Sequence, residues 1–433
     1  MRRTLLAGLL AVLAAGPSPA ARQLTLREAL TLAREHSFEI RRALAEEQAA
    51  GEALGAARAA RLPTLDASAI AFYNTEVASL DLATSLGRLS REIGTKENVQ
   101  TDLRLAFPLY TGGRIAGGVD AAQASARRQA ALTEAAVDDL LYRTRVAYLT
   151  VHRSDRQIEA ARSALRRAQI TRAQVASLLS AGAADSVAVL EAQLAVSETE
   201  LRLQQALHDR REAVIQFAQL VGLSASDSLD LATPLAPPAA PGDPDTGFVR
   251  PELAAAQAAV EIGRAGVARA AADWFPTLAA FGGYSYGKPN LDRFGNTWND
   301  YWQVGARLDW SFNLGRGTRR EVNRAKFTVS AAENQRNRLA EQLREQHLLA
   351  WERLRLAYEQ YLTALDRAAL TRRNYELATS RHSEGVLSSN RLMEIEATLN
   401  EAEAGLAAAE AGYYIARSAY LYASGADLMT EGF

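Results

Sequence analysis

A helical hairpin that occurs twice constrains this chain more than any other feature. The first copy opens at Phe107-Pro108-Leu109-Tyr110-Thr111-Gly112-Gly113, runs in an unbroken helical pattern to Gly182, and returns through Val187 and Leu190 to about Val221. The second opens at Trp310-Ser311-Phe312-Asn313-Leu314-Gly315, turns at Gly385, and returns through Leu392 and Met393 to about Tyr422. Gly385 follows Gly182 by 203 positions; Trp310 follows Phe107, Trp351 follows Tyr148 and Glu394 follows Glu191 by the same 203. A single offset held from strand end to returning helix means two copies of one supersecondary unit.

The helices are too long for a compact domain. A helix over roughly 114–181 would extend about 100 Å at 1.5 Å per residue. Its apolar positions Val137, Leu141, Thr144, Tyr148 and Val151, then Ile158, Leu165, Ala168, Val175 and Leu179, form a near-heptad stripe that slips around Asp155. Such a slip rewinds a long pair locally. The last helix carries Leu392, Ile395, Leu399, Ala402, Leu406, Ala409, Tyr413, Ala416 and Tyr420 at 3,4 spacing, a coiled-coil seam. Abundant alanine with only 7% aromatics suits long helices that approach closely.

Between the helices the period changes to two. Leu65, Ala67, Ala69 and Ala71 alternate with Asp66 and Ser68; Val99, Thr101, Leu103, Leu105 and Phe107 alternate with Gln100, Asp102 and Arg104. A polar loop is expected from about Thr75 to Asn98. A third strand covers Thr277 to about Tyr286. The fourth sets Trp302, Val304, Ala306, Leu308 and Trp310 against Gln303, Gly305, Arg307 and Asp309. Each is about as long as the 9–11 residues a tilted strand needs to cross a bilayer. Aromatics bracket them: Phe72, Tyr73, Tyr284, Tyr286, Tyr301 and Trp302 toward the loop ends, Phe107, Tyr110 and Trp310 toward the helix ends. Two such girdles mark membrane interfaces and imply contact with membrane lipid.

The start of the chain reads as an export signal. Arg2-Arg3 precede an apolar run from Thr4 to Ala15, and Ser18-Pro19-Ala20 offers small residues for cleavage. The run is shorter than the ~20 residues a membrane-spanning helix takes. With no cysteine, disulfides, thiolate metal sites and lipidation through cysteine are excluded. These signs suit the bacterial cell envelope. A net charge of -1 gives no sign of a nucleic-acid partner.

The expected organisation is a signal peptide at 1–21 and a first repeat at 22–223, with a helix over 24–61, a β-hairpin at 64–110 and a helical hairpin at 114–222. A proline-rich linker follows at 224–247, with Pro234, Pro237, Pro238, Pro241 and Pro244. The second repeat spans 248–424, with a β-hairpin at 277–312 and a helical hairpin at 317–424, before a tail at 425–433. Pro63-Thr64-Leu65 and Pro276-Thr277-Leu278 open the two strand pairs alike.

Four strands cannot close a barrel, for which about eight is the usual minimum, so several chains must contribute. Helical hairpins with narrow apolar stripes bury them only against neighbouring hairpins, which points the same way.

The tandem units, the Pro-Thr-Leu openings, Phe107-Pro108-Leu109-Tyr110 with its glycine turn, and the run Gly385-Val386-Leu387-Ser388 leading to Leu392-Met393-Glu394 resemble the outer membrane efflux protein family, the TolC-like channels. The resemblance covers the whole mature sequence. It implies a homotrimer in which twelve strands form an outer-membrane β-barrel continuous with a periplasmic α-barrel. It further implies docking of the hairpin tips onto a periplasmic adaptor that serves an inner-membrane pump, in efflux or type I secretion. The chain would be a passive duct with no enzymatic activity. By the same resemblance His382, Arg391 and Glu394 fall where the family narrows its tunnel, with Arg391 at a position the family gives to an acid. Leu387 stands where the family has a gate-linking arginine. The tips, Gly182, Ala183, Ala184 and Asp185 with Gly385, Val386, Leu387 and Ser388, are the expected adaptor contacts, because Val386 and Leu387 are apolar at a turn.

Other motifs carry little. Gly283-Tyr284-Ser285-Tyr286-Gly287 matches a hydrolase elbow, but no helix follows the serine. Gly112-Gly113 and Gly117-Gly118 lack the Lys-Ser/Thr ending of a phosphate loop. The histidines His36, His152, His208, His347 and His382 show no ligand spacing, so no metal or cofactor is expected. The competing architecture is a periplasmic coiled-coil scaffold or adaptor, which would carry one hairpin inserted in a β-rich domain.

Overall fold

The computed structural model describes residues 22–85, 87–93, 95–224, 229–233, 235–244, 247–291 and 297–429. The expected signal peptide, Pro234 and the last four residues of the tail lie outside them. The chain divides into two compact units, and each draws on both repeats. One comprises 1–41, 136–250 and 343–433, the other 42–135 and 251–342.

The repeat offset holds at both ends of the long helices and of the helices that return from them. The long helices α3 (Arg114–Ser180) and α6 (Gly317–Ser383) are each 67 residues. The returning helices α4 (Ser186–Val221) and α7 (Ser389–Ser424) are each 36. Both returning helices stop at a left-handed glycine, Gly222 and Gly425.

In the first unit a core forms where α1 (Leu26–His36) meets α3 and α4. Leu26, Leu30, Ile40, Tyr148, Phe217 and Val221 are buried together, and Leu428 of the tail joins them. Helix α1 starts at a capping box between Thr25 and Glu28. The expected single helix over 24–61 is instead broken, with α2 (Phe38–Ala59) following α1 after one residue. Ser37 causes the break. Its backbone is extended, and its hydroxyl accepts from the Ile40 amide at 3.3 Å, restarting the helix as a cap.

The linker is also less free than its composition suggests. Strand β1 (Arg22–Leu24) pairs in parallel with the short strand β6 (Leu229–Leu231). The Leu26 amide then donates to Thr233 Oγ1 at 2.9 Å. Further on, Tyr413 donates to Ala239 O at 2.7 Å and Trp351 Nε1 to Gly242 O at 3.0 Å.

In the second unit, β2 (Thr64–Tyr73), β5 (Glu97–Tyr110), β7 (Thr277–Lys288) and β8 (Asn299–Asp309) form one antiparallel sheet in that order. The stretch expected as a polar loop after Thr75 holds a separate hairpin, β3 (Ala78–Thr84) with β4 (Gly87–Ile93). Its Ser79-Leu80-Asp81-Leu82 alternation is real but only a few residues long, and the surrounding polar residues obscure it. Helix α5 (Pro251–Ala271) passes through one 3-10 turn, Ala272–Trp274, into β7.

The seam on α7 is not a continuous heptad. From Leu392 to Ala402 the buried residues keep 3,4 spacing; beyond it the expected Tyr413 is buried together with Ala407, Ala411, Tyr414 and Ser418, and the expected Leu406, Ala409, Ala416 and Tyr420 are half-buried. A straight helix drifts against a seven-residue repeat, and this shift re-centres the stripe.

Candidate functional site: an apolar sheet face and two capped hairpin tips

Residues paired across an antiparallel sheet point to the same side. Following the register outward from Trp302, its partner is Tyr284, which pairs with Leu103, which pairs with Ala67. Val304, Gly282, Leu105 and Leu65 form the next row, and Ala306, Ala280 and Phe107 the one after. One entire face is therefore apolar through its middle rows. The other carries Asp66 opposite Arg104, Asp102 opposite Ser285, and Ala279 opposite Arg307. The apolar face is open, and Val304 is 85% exposed. An alternation this complete, with the apolar side uncovered, is the signature of a sheet against lipid hydrocarbon.

The register also sorts the aromatics. Tyr73, Tyr284, Tyr286 and Trp302 lie toward one end of the apolar face, and Phe107 and Trp310 toward the other. Tyr284 and Trp302 are in tilted ring contact at 4.6 Å, as are Trp310 and Phe312 at 4.7 Å, and Tyr286 stacks on Trp298 at 5.1 Å. Tyr110 follows a register shift after Pro108 and pairs with Leu278. Phe72 and Tyr301, expected in the same girdles, fall on the polar side. Phe72 is paired with Asn98 and Tyr301 with Ser285. Period two decides the matter, because neighbours in sequence face opposite ways. Ser285 itself sits within β7 with its hydroxyl on Asn290 Oδ1 at 3.3 Å, which removes the hydrolase-elbow reading.

Both hairpin tips, in the first unit, end their outgoing helix in the same way. Gly182 (φ +75°) donates to Leu179 O at 3.0 Å and Ala183 to Leu178 O at 2.8 Å. Gly385 (φ +77°) donates to His382 O at 3.0 Å and Val386 to Arg381 O at 2.9 Å. This is the Schellman closure, which requires a left-handed residue, and it explains the glycines. Three residues on, Asp185 and Ser388 cap the returning helices by accepting from Ala188 N (2.8 Å) and Arg391 N (3.4 Å).

The expected tip residues separate into two groups. Val386 is 74% exposed, and Gly182, Ala183, Asp185, Gly385 and Ser388 are also at the surface, with Ala184 half-buried. Leu387 is not displayed: it is half-buried against Ala378, Leu392 and Ile395. The turn folds its second apolar residue under, where burial stabilises it, and leaves only Val386 out.

Of the expected constriction residues, Arg391 and Glu394 are exposed and pair with each other at 2.5 Å. His382 faces inward. Its Nδ1–H donates to Leu387 O at 2.9 Å, and its Nε2 is buried with no partner among the described residues. Beneath it lies a group that periodicity did not single out. Glu396 is 4% exposed and accepts from Thr171 Oγ1 at 2.5 Å. A signal existed: Glu396 stands four residues after Leu392 and three before Leu399, on the apolar side of α7.

Among the described residues no group of three or more metal-ligating side chains occurs, and no helix is long and apolar enough to cross a membrane.

A sheet with one lipid-type face, joined in sequence to paired helical hairpins, defines a subunit of an outer-membrane channel. The chain belongs to the outer membrane efflux protein family, whose model matches residues 29–223 and 249–425. Among solved structures it is similar to CusC (TM-score 0.81, 15% identity, 93% of this chain and 92% of that one). It is also similar to the outer-membrane channel OprN (0.78, 21%, 94% and 91%). The CmeC outer membrane channel of Campylobacter jejuni gives 0.79 at 16% identity, with 92% and 85% covered. Among curated proteins, none matches the chain.

Proposed function

We propose that three copies of this chain form a passive export duct across the outer membrane, coupled through a periplasmic adaptor to an inner-membrane pump. The observation that carries this reading is the four-stranded sheet with an open face that is apolar through its middle rows and with two edges, β2 and β8, unpaired among the described residues. An open sheet edge is not tolerated in hydrocarbon, since each unpaired backbone group costs several kcal/mol. Joining β8 of one copy to β2 of the next satisfies both edges. Three copies then give twelve strands, a closed barrel wide enough for an aqueous lumen lined by the polar face.

Exposed apolar residues on the helices also call for neighbouring copies. Leu349, Leu356, Leu370 and Leu377 stand on α6 at multiples of seven, and Val187, Leu194 and Leu201 stand seven apart on α4, all exposed in the single chain. Burying each is worth about 1.5–3 kcal/mol, so a second copy is their natural cover. The tips, with Val386 exposed on one and Ala183 on the other, are proposed as the adaptor contact. Arg391 and Glu394 are proposed to line the narrowest part of the tunnel. The leader at 1–21 is proposed to direct export.

The test is fractionation and reconstitution. The protein should remain with outer membranes, migrate as a heat-dissociable trimer, and give discrete conductance in planar bilayers. A water-soluble monomer that needs no detergent would overturn the proposal.

A further inference from the structure

Helix α7 carries Glu396, Glu403 and Glu410 seven residues apart, which keeps them on one stripe. Two have cationic partners. Glu403 is held by Arg167 of α3 at 2.7 Å and Arg372 of α6 at 3.0 Å, and Glu410 has Arg156 at 4.0 Å. Glu396, the member closest to the Gly385 turn, is the most buried, and no arginine or lysine forms an ion pair with it among the described residues. Hydroxyls hold it instead, those of Thr171 on α3 and Tyr375 on α6.

The same packet supports the turn. Tyr375 and Leu387 pack with Leu392 and Ile395, and Leu387 O receives the Nδ1–H of His382. Any water that enters to solvate Glu396 has to part these residues. His382 Nε2, also buried and unpartnered, would be wetted with it. An ionised carboxylate here is met by hydroxyl donors but by no full counter-charge in contact, whereas a protonated one has no charge to desolvate.

We infer that Glu396 is a proton-operated latch: protonated, it seats the tip half of α7 against α3 and α6; ionised, it draws water into the packet and loosens the turn. This rests on the reading of the tips as the closing end of a duct, and it adds a control to that end. Burial is the dominant influence and raises the proton affinity of Glu396 above the ordinary carboxylate value of 4.5; the Thr171 hydroxyl, Arg167, the Tyr375 hydroxyl and His382 oppose it. The sign follows. A carboxyl that binds its proton more tightly when packed stabilises packing below its hydrated pKa and loses that contribution as pH rises through the packed value.

The experiment exploits the absence of cysteine. Gln174→Cys on α3 and Ala397→Cys on α7, both at exposed positions, take spin labels in the full-length protein reconstituted in lipid. As pH is raised stepwise from below the ordinary carboxylate range, the short-distance population of the otherwise unaltered protein should fall reversibly. Glu396→Gln, neutral and isosteric, should keep that population throughout. Thr171→Val, which removes a donor to the carboxylate, should move the midpoint to higher pH. A distance distribution insensitive to pH, or one that still shifts in Glu396→Gln, would overturn the latch. Conductance of the same preparations reads the duct separately: conducting channels with a pH-insensitive tip sink the latch alone, and absent conductance sinks the duct.

Discussion

Gly113 and Arg316 lie 203 positions apart, at the same place in the two repeats, and both have left-handed backbones, with φ of +91° and +59°. Arg316 is the one non-glycine residue with positive φ among those described. At this place in the turn from strand into long helix both repeats take a left-handed residue, a glycine in the first and an arginine in the second. A left-handed side-chain-bearing residue costs roughly 1–2 kcal/mol. Arg316→Gly removes that strain but adds freedom to the unfolded chain, leaving a net gain of about 0.5–1 kcal/mol per chain. A higher temperature of heat-induced trimer dissociation is the expected result.

Much of this fold was legible because it repeats. The Gly182 and Gly385 turns and the helix lengths follow from one offset and from apolar periodicity, and the strands follow from alternation. What escaped depended on single side chains or short runs. Ser37 breaks a helix with one hydroxyl, and the β3–β4 hairpin is too short to stand out from polar surroundings. Phe72 and Tyr301 fall beside the girdles in sequence, but only pairing register decides which side a strand residue faces. Glu396 does not stand out in sequence, because a glutamate on a long helix is usually solvated. Its burial depends on Thr171, 225 residues away.

The separation of Val386 from Leu387 gives two different outcomes from one type of substitution. Val386→Asp puts a charge on an exposed site and should abolish crosslinking to the adaptor while leaving the trimer intact. Leu387→Asp buries an unpaired carboxylate against Leu392 and Ile395 and should disorder the turn itself. Protease sensitivity at 385–388 distinguishes them, with only the Leu387 variant becoming cleavable.

The two faces of β8 should respond oppositely to charge. Ala306 lies midway between Trp302 and Trp310 on the apolar side, and Gln303 lies on the polar side. Arginine facing lipid near the midplane costs about 2–4 kcal/mol, against little where the face is wet. Ala306→Arg should therefore deplete heat-dissociable trimer in the outer membrane fraction, and Gln303→Arg should leave it unchanged. Equal loss in both would mean that the sheet does not face lipid as its register indicates.

Arg391 and Glu394 are exposed and bonded to each other within one helix turn, so as a surface pair they contribute only about 0.2–0.5 kcal/mol. Stability is the wrong quantity in which to look for their role. If three copies bring them round a common axis, three arginines beside three glutamates set a nearly neutral ring, whereas three glutamates alone would concentrate negative charge and attract cations. Arg391→Ala should then raise cation over anion permeability in planar bilayers, with the trimer dissociation temperature unchanged. Glu394→Gln should shift permeability toward anions by the same logic. Unaltered conductance and selectivity in both variants would remove the pair from the narrow part of the tunnel and return it to the status of an ordinary surface contact.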